Sequence, residues 1–328
     1  MSDLARLAGV SESTVSRALA GSPLVGPQTR DKVQALAKKY GYVIDKRARN
    51  LRLQKSGVIA VIVPLLHNEA QSISDPFFLE MLGSLADLLS AHDYDLLLRK
   101  YTDKDENGLE DLIKNLSVDG VILIGQSVLH ESINHIALNY KPLVVWGAAM
   151  ENQNYITIGS DNYTGALQAV NYLLQSSRKN IAFFGDKNLP EIAPRFRGYK
   201  DALSLHGIPA DPTLELNLLF DTQGILATVN NFFTRTRRLD AIFAVSDIIA
   251  MQTIQVLKNK KIDIPESIAV IGFDDIQLSR FFSPALTTVK QNIPKAAEII
   301  VDTLLSLIKG KPASSSLLPT ELIVRSTS

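Results

Sequence analysis

Between Ser11 and Arg17 the chain reads Ser-Glu-Ser-Thr-Val-Ser-Arg, which packs hydroxyls, a carboxylate and a guanidinium into about two helical turns. These groups suit recognition without bond-making. Ser11, Thr14 and Ser16 carry hydroxyls that can hold phosphate oxygens. Arg17 has the fork for guanine O6 and N7, or for a phosphate alone. Glu12 and Ser13 sit where a base edge is read, although the Glu12 carboxylate can equally face solvent. A second charged stretch, Asp45-Lys46-Arg47-Ala48-Arg49-Asn50-Leu51-Arg52-Leu53-Gln54-Lys55, sets cations around two leucines. Groups for catalysis are missing. The chain has no glycine-rich phosphate loop, Gly-x-Ser-x-Gly or His-Glu-x-x-His. It has no cysteine, and its histidines at 67, 92, 130, 135 and 206 form no metal-ligand pattern. His130 and His135 read as solvated. The expectation is a non-enzyme with no catalytic residue, metal or cofactor.

The polar groups need short, rigid elements to carry them. Leu4, Leu7 and Ala8 form one apolar face, and Val15, Ala18 and Leu19 another. Gly9 permits a sharp turn between them, and Ser11 is a natural N-cap for the second helix. A loop from Ala20 to Pro27 leads to a third helix, about Gln28 to Tyr40, with Val33, Leu36, Ala37 and Tyr40 on one side. Gly41 ends it. Two short helices around a glycine turn, the second studded with polar groups, predict a helix-turn-helix that enters the DNA major groove. Charge agrees. Residues 1–56 hold eleven Lys/Arg against four Asp/Glu, a net of +7, whereas the whole chain has 34 of each, leaving 57–328 at −7. The basic segment after residue 45 is too short to be a stable isolated helix and should order only against DNA or a second copy.

From Gly57 the pattern alternates apolar runs of strand length with amphipathic helices, in two successive series. The first includes Val58–Pro64, Tyr94–Arg99, Gly120–Gly125 and Pro142–Trp146. The second includes Asn180–Phe184, Leu214–Leu218, Ala241–Val245 and Ala269–Phe273, with a helix expected about Arg197–Leu205. Such alternation predicts two doubly wound lobes of parallel sheet, with a ligand cleft outside the strands' C-terminal ends. No run approaches the length of a membrane span, and no charged-then-apolar leader opens the chain. Together with the lack of cysteine, this leads us to expect a cytoplasmic protein without membrane contact.

The ordered strings Asp3-Leu4-Ala5, Ala8-Gly9-Val10-Ser11, Ser13-Thr14-Val15-Ser16-Arg17, Tyr40-Gly41-Tyr42, Asp119-Gly120-Val121-Ile122, Ser160-Asp161-Asn162 with Gly165, Arg195 with Gly198, Ser246-Asp247, Gly272-Phe273-Asp274-Asp275 and Leu286-Thr287-Thr288-Val289 span the chain. In them it resembles the lactose-repressor/galactose-repressor (LacI/GalR) family of bacterial transcription regulators. The resemblance implies a three-helix DNA-binding domain over 1–45, a hinge helix over 46–56 and a core over 57–328 resembling periplasmic sugar-binding proteins. Its first lobe would cover about 57–157 plus 289–313, and its second about 158–288 plus 314–328. It also implies a homodimer on a palindromic operator, controlled by a small-molecule effector. The expected effector is a sugar or glucoside. The alternative is a co-repressed regulator with a nucleobase or other non-sugar effector.

The resemblance makes Leu51 the leucine that wedges between central base pairs, with Leu53 as its competitor. Arg47 and Arg49 would steady the backbones beside it. Arg195 matches the arginine that bonds effector hydroxyls, Asp274 matches its acidic counterpart, and Ser246-Asp247 stands where Asn-Asp is common. Trp146, the only tryptophan, is either the cleft's stacking platform or a core residue. Phe77 is expected at the cleft border, with Phe220 a weaker candidate. Two departures from the family pattern are the short stretch before Asp3 and Val43-Ile44-Asp45 where a Pro-Asn pair is usual. They lead us to expect weaker operator binding.

Overall fold

The computed structural model describes all residues except 20, 43–54, 66–70, 103–104, 106–107, 219–221 and 236–237. Contacts divide the chain into two units, Met1–Ser56 and Gly57–Ser328. In the first, α1 (Ser2–Ala8), α2 (Glu12–Leu19) and α3 (Pro27–Lys39) enclose a small core of Leu4, Ala5, Ala8, Val15, Ala18, Val25, Val33 and Ala37. Gly9 takes φ 70°, and its N–H reaches the carbonyls of Ala5 and Arg6, closing α1. Pro27 opens α3, where a missing N–H costs nothing. Lys32 Nζ donates to the Ala8 carbonyl at 2.9 Å and so ties α3 to the end of α1. Two expected core members lie outside: Leu7 is 46% exposed and Tyr40 56%. In a core this small the inward arc is narrow, and Ala5 and Tyr42 are among the residues that pack into it.

The second unit holds two six-stranded sheets. The first contains β1 (Val58–Pro64), β2 (Asp95–Tyr101), β3 (Gly120–Ile124), β4 (Leu143–Trp146), β5 (Ile156–Ser160) and β11 (Ser316–Leu318), in the order β11-β5-β4-β3-β1-β2. All its pairings are parallel; Ile59 stands opposite Gly120, and Val121 opposite Leu143. Strands covered on both faces must be apolar throughout. Accordingly Ile59, Val61 and Val63 pack toward the helices Pro76–Ala91 and Ile293–Ile308, while Ala60 and Ile62 pack toward Gly108–Asn115 and His130–Asn139.

The second sheet is built the same way from β6 (Ile181–Phe184), β7 (Glu215–Leu216), β8 (Ala241–Ala244), β9 (Ala269–Asp274), β10 (Thr287–Lys290) and β12 (Glu321–Ile323), in the order β12-β10-β9-β8-β6-β7. Among the described residues only β12 runs antiparallel, against β10.

The chain passes between the sheets three times, and this shifts the expected lobe limits. β5 stays in the first sheet through Ser160, β10 stays in the second through Lys290, and β11 at 316–318 belongs to the first. Hydropathy locates a strand, but which sheet it joins is decided by pairing partners far away in sequence. The passages touch: the Asp161 N–H donates to the Leu318 carbonyl at 2.8 Å, and Thr320 Oγ1 donates to the Asp161 carbonyl at 3.1 Å. Two local expectations also change. The run Leu214–Leu218 pairs only at Glu215–Leu216, behind a short 3-10 turn at Pro212–Leu214. The helix expected from Arg197 starts at Ile192, because Pro194 falls in its first turn, where no intrahelical N–H is needed.

Candidate DNA-reading helix and effector cleft

Ser11 caps α2 as expected: its Oγ accepts the Thr14 N–H at 3.2 Å. The same oxygen lies 2.8 Å from Ser13 Oγ and 2.9 Å from Thr14 Oγ1, so these hydroxyls form one local cluster. Val15 and Ala18 are fully buried beneath them, which fixes the outward direction of the other face. Ser11, Glu12, Ser13 and Arg17 are exposed there, and Thr14 and Ser16 are half-buried. The helix thus presents all six predicted reading residues on a rigid three-helix support. Arg47, Arg49 and Leu51 lie outside the described residues, and so does Phe220.

In the second unit, the C-terminal ends of the strands converge on one cleft between the lobes. Pro64, Ile124, Trp146 and Ser160 line it from β1, β3, β4 and β5, and Asp274 from β9. Trp146 and Phe77 supply an aromatic wall, with ring centroids 6.5 Å apart and planes inclined by 34°. Trp146 is 5% exposed and packs into the core of the first lobe while also lining the cleft. The two readings of this residue were therefore not exclusive.

Arg195 enters from the second lobe and is held on several sides. Its Nε donates to Asn162 Oδ1 at 2.7 Å, its Nη1 donates to the Val245 carbonyl, and its guanidinium carbon lies 3.7 Å from the Phe273 ring centroid. The helices carrying Arg195 and Asn162, Ile192–Leu205 and Asn162–Gln175, approach closely at Gly198. A Cβ there would stand 2.4 Å from the Tyr163 carbonyl oxygen. Burial lowers the Arg195 pKa to about 10, against the opposing pull of Asp274, Glu191 and Asp247; the group stays charged at neutral pH.

Asp274 closes β9 with φ 126°, a costly conformation for a residue with a side chain. It is pinned there by Gln291, whose Nε2 donates to Oδ1 at 2.7 Å. The next residue, Asp275, has φ 55° and is held by an ion pair with Arg325 at 2.6 Å. Burial pushes the Asp274 carboxyl well above the ordinary range, while Arg195 pulls it down.

Ser246 lines the cleft, but its Oγ accepts the Ile249 N–H at 3.3 Å and caps the helix Asp247–Asn259. Asp247 is a correction. It does not line the cleft; it is fully buried and accepts the Ile276 N–H at 2.9 Å, the Ser279 hydroxyl at 2.5 Å and the Thr288 hydroxyl. An acid beside a strand end can face the ligand or bind the neighbouring loops, and its three donors come from segments sequence reading could not bring there. His130 departs from its solvated reading as well, lying 2.8 Å from the Tyr155 hydroxyl with its side chain 18% exposed.

Several lining residues escaped sequence reading. Asn162 orients Arg195. Glu191 accepts the Gln126 N–H at 3.2 Å and so joins the two lobes. Asp75 caps the helix Pro76–Ala91 through the Phe77 N–H at 3.0 Å.

A helix-turn-helix unit joined in one chain to a two-lobed ligand-binding core defines a ligand-responsive DNA-binding regulator. Residues 1–45 match the description "Bacterial regulatory proteins, lacI family", and residues 170–328 match "Periplasmic binding protein-like domain". The HTH-type transcriptional repressor CytR of Escherichia coli (strain K12) is 30% identical, over 99% of this chain and 95% of its own. A solved complex of the transcriptional regulator CelR with cellobiose superposes with a TM-score of 0.74 at 25% identity, covering 99% of this chain and 98% of CelR. The lac repressor dimer bound to operator shares the fold, with a TM-score of 0.84 at 20% identity and coverage of 99% and 97%. The chain belongs to the LacI family of bacterial transcriptional repressors.

Proposed function

We propose that this chain represses carbohydrate-utilisation genes from the cytoplasm. It does so as a homodimer on a palindromic operator, with a small sugar or glucoside in the inter-lobe cleft setting its grip on the DNA. One observation carries the effector reading: the Trp146–Phe77 wall, the buried Arg195 guanidinium and the Asp274 carboxyl line a single cleft. A sugar ring needs that combination, an apolar face for its C–H side and charged partners for its hydroxyls. The likeness to the CelR–cellobiose complex supports it. A ligand touching both lobes favours one closure state, and can shift it only by its difference in affinity between the two.

On the DNA side, Arg17 reads a base, Glu12 and Ser13 tune the operator sequence, and Ser11, Thr14 and Ser16 hold phosphates. Residues 46–56 act as a hinge in which Leu51, steadied by Arg47 and Arg49, wedges the minor groove. The test is anisotropy of a palindromic DNA from upstream of the chain's own gene, at two salt concentrations and across mono- and disaccharides. The expected result is salt-steep binding that one sugar changes at least about tenfold. Specific binding that no sugar alters would refute the sugar effector and leave the repressor standing. Leu51→Ala should weaken the operator complex and leave sugar affinity intact; an unchanged complex would rule out the wedge.

A further inference from the structure

The polar lining of the cleft is lopsided. Among the described residues, its charged members are the carboxylates of Asp75, Glu191 and Asp274 against the single guanidinium of Arg195. Part of the donor capacity is turned inward: Arg195 Nε and Nη1 donate to Asn162 and Val245, and Gln291 Nε2 donates to Asp274. Each carboxylate, by contrast, has one oxygen engaged by the chain: Asp75 with the Phe77 N–H, Glu191 with the Gln126 N–H and Asp274 with the Gln291 amide. Two further oxygens, Ser160 Oγ and Gln71 Oε1, have no hydrogen-bond partner among the described residues. Both side chains line this cleft and both are more than nine-tenths buried, at 3% and 7% exposure. A buried polar oxygen without a partner is costly, so both call for a polar ligand group: the Gln71 amide oxygen for a donor, and the Ser160 hydroxyl for either a donor or an acceptor.

Burial also pushes the carboxyls of Asp75 and Asp274 upward. Hydrogen-bond donors relieve the cost of ionising them, and a further anion raises it. We infer that the cleft selects a donor-rich, non-anionic ligand, bearing hydroxyl or amino groups, and rejects phosphorylated or carboxylated versions of the same scaffold. This rests on the cleft being the effector site, as proposed above, and adds the charge class of what it accepts.

The experiment is calorimetry on the full chain with ligands matched in ring and differing in charge. Glucose and glucosamine are compared with glucose 6-phosphate and glucuronate, and adenosine with its monophosphate, which also separates a sugar from a nucleoside source. On the scaffold that binds, the neutral or amino form should bind at least about tenfold tighter than its acidic counterpart. An acidic member that binds equally or better overturns the inference and leaves the effector cleft standing. Binding by no member overturns both. On the same scaffold, Glu191→Gln, at a half-buried helix start, should shrink the discrimination severalfold, and so should Asp274→Asn. A ratio unchanged in both folded variants would overturn the role given to the carboxylates.

Discussion

The DNA-reading helix and the effector cleft solve opposite physical problems. On α2 the polar groups lie in or near solvent and bond to neighbours two or three residues away, as in the cluster of Ser11, Ser13 and Thr14. In the cleft several are buried or half-buried and bond across the fold: Arg195 reaches Asn162, 33 residues distant, and Val245, 50 residues distant, while Glu191 meets Gln126 across 65. Exposed groups keep their hydration until DNA replaces it, so they can vary at little cost to the fold. Buried charges have lost water already, and each depends on partners that the whole lobe must hold in place. Specificity for DNA and response to a ligand are therefore expected to differ in how strongly they are coupled to stability.

Substitutions on the two sides should expose that difference. Arg195→Met should do the most damage, since it strands Asn162 Oδ1 and the Val245 carbonyl and leaves Asp274 without its balancing charge. We expect a loss of about 3 kcal/mol in the urea transition of the core, with effector response abolished. A core of unchanged stability would contradict the account of Arg195 as a buried linchpin. Arg17→Ala belongs at the other pole. It should weaken specific operator binding by about 1–3 kcal/mol in anisotropy titrations and leave the melting of both units unaltered. If binding to all DNA sequences falls alike, Arg17 holds phosphate only. Ser11→Ala tests the supporting cap and should cost the N-terminal unit about 1 kcal/mol in thermal unfolding, without touching the core.

The gentlest probe is pH. Asp274 has a folded-state pKa raised by burial above its ordinary 3.8. A raised carboxyl keeps its proton in the folded chain after the unfolded chain has lost it. Its contribution is therefore fully present below the unfolded value and lost as pH rises through the folded one. Asp274→Asn should flatten that decline in urea melts taken upward in pH from the ordinary carboxyl value of 3.8. An identical slope in the variant would show that Asp274 does not titrate there.

Legibility followed the same divide. The helix-turn-helix could be read because its signals are local: a glycine turn, a capping serine and apolar residues at helical spacing. Even there Leu7 and Tyr40 were misjudged, since periodicity marks a face without its width. In the core, parallel strands announced themselves as continuous apolar runs. Arg195, Asp274 and Trp146 were singled out by resemblance and position, and all three line one cleft. Asp247 was misplaced, because nothing in Ser246-Asp247 reveals that Ile276, Ser279 and Thr288 arrive as its donors. Glu191, Asn162 and Ser160 went unrecognised for the same reason.

By itself, the amino-acid sequence determined where most helices and strands of the core alternate, where the basic head meets the acidic body, and which face of α2 carries polar groups. Each of these depends on interactions within a few residues or on composition. Only the tertiary structure decided which sheet β5 and β11 join, which acid lines the cleft and which binds loops, and that three carboxyls and one guanidinium meet in the same cleft. Those outcomes turn on desolvation and on partners brought together from distant parts of the chain, quantities that exist only once the lobes have closed around them.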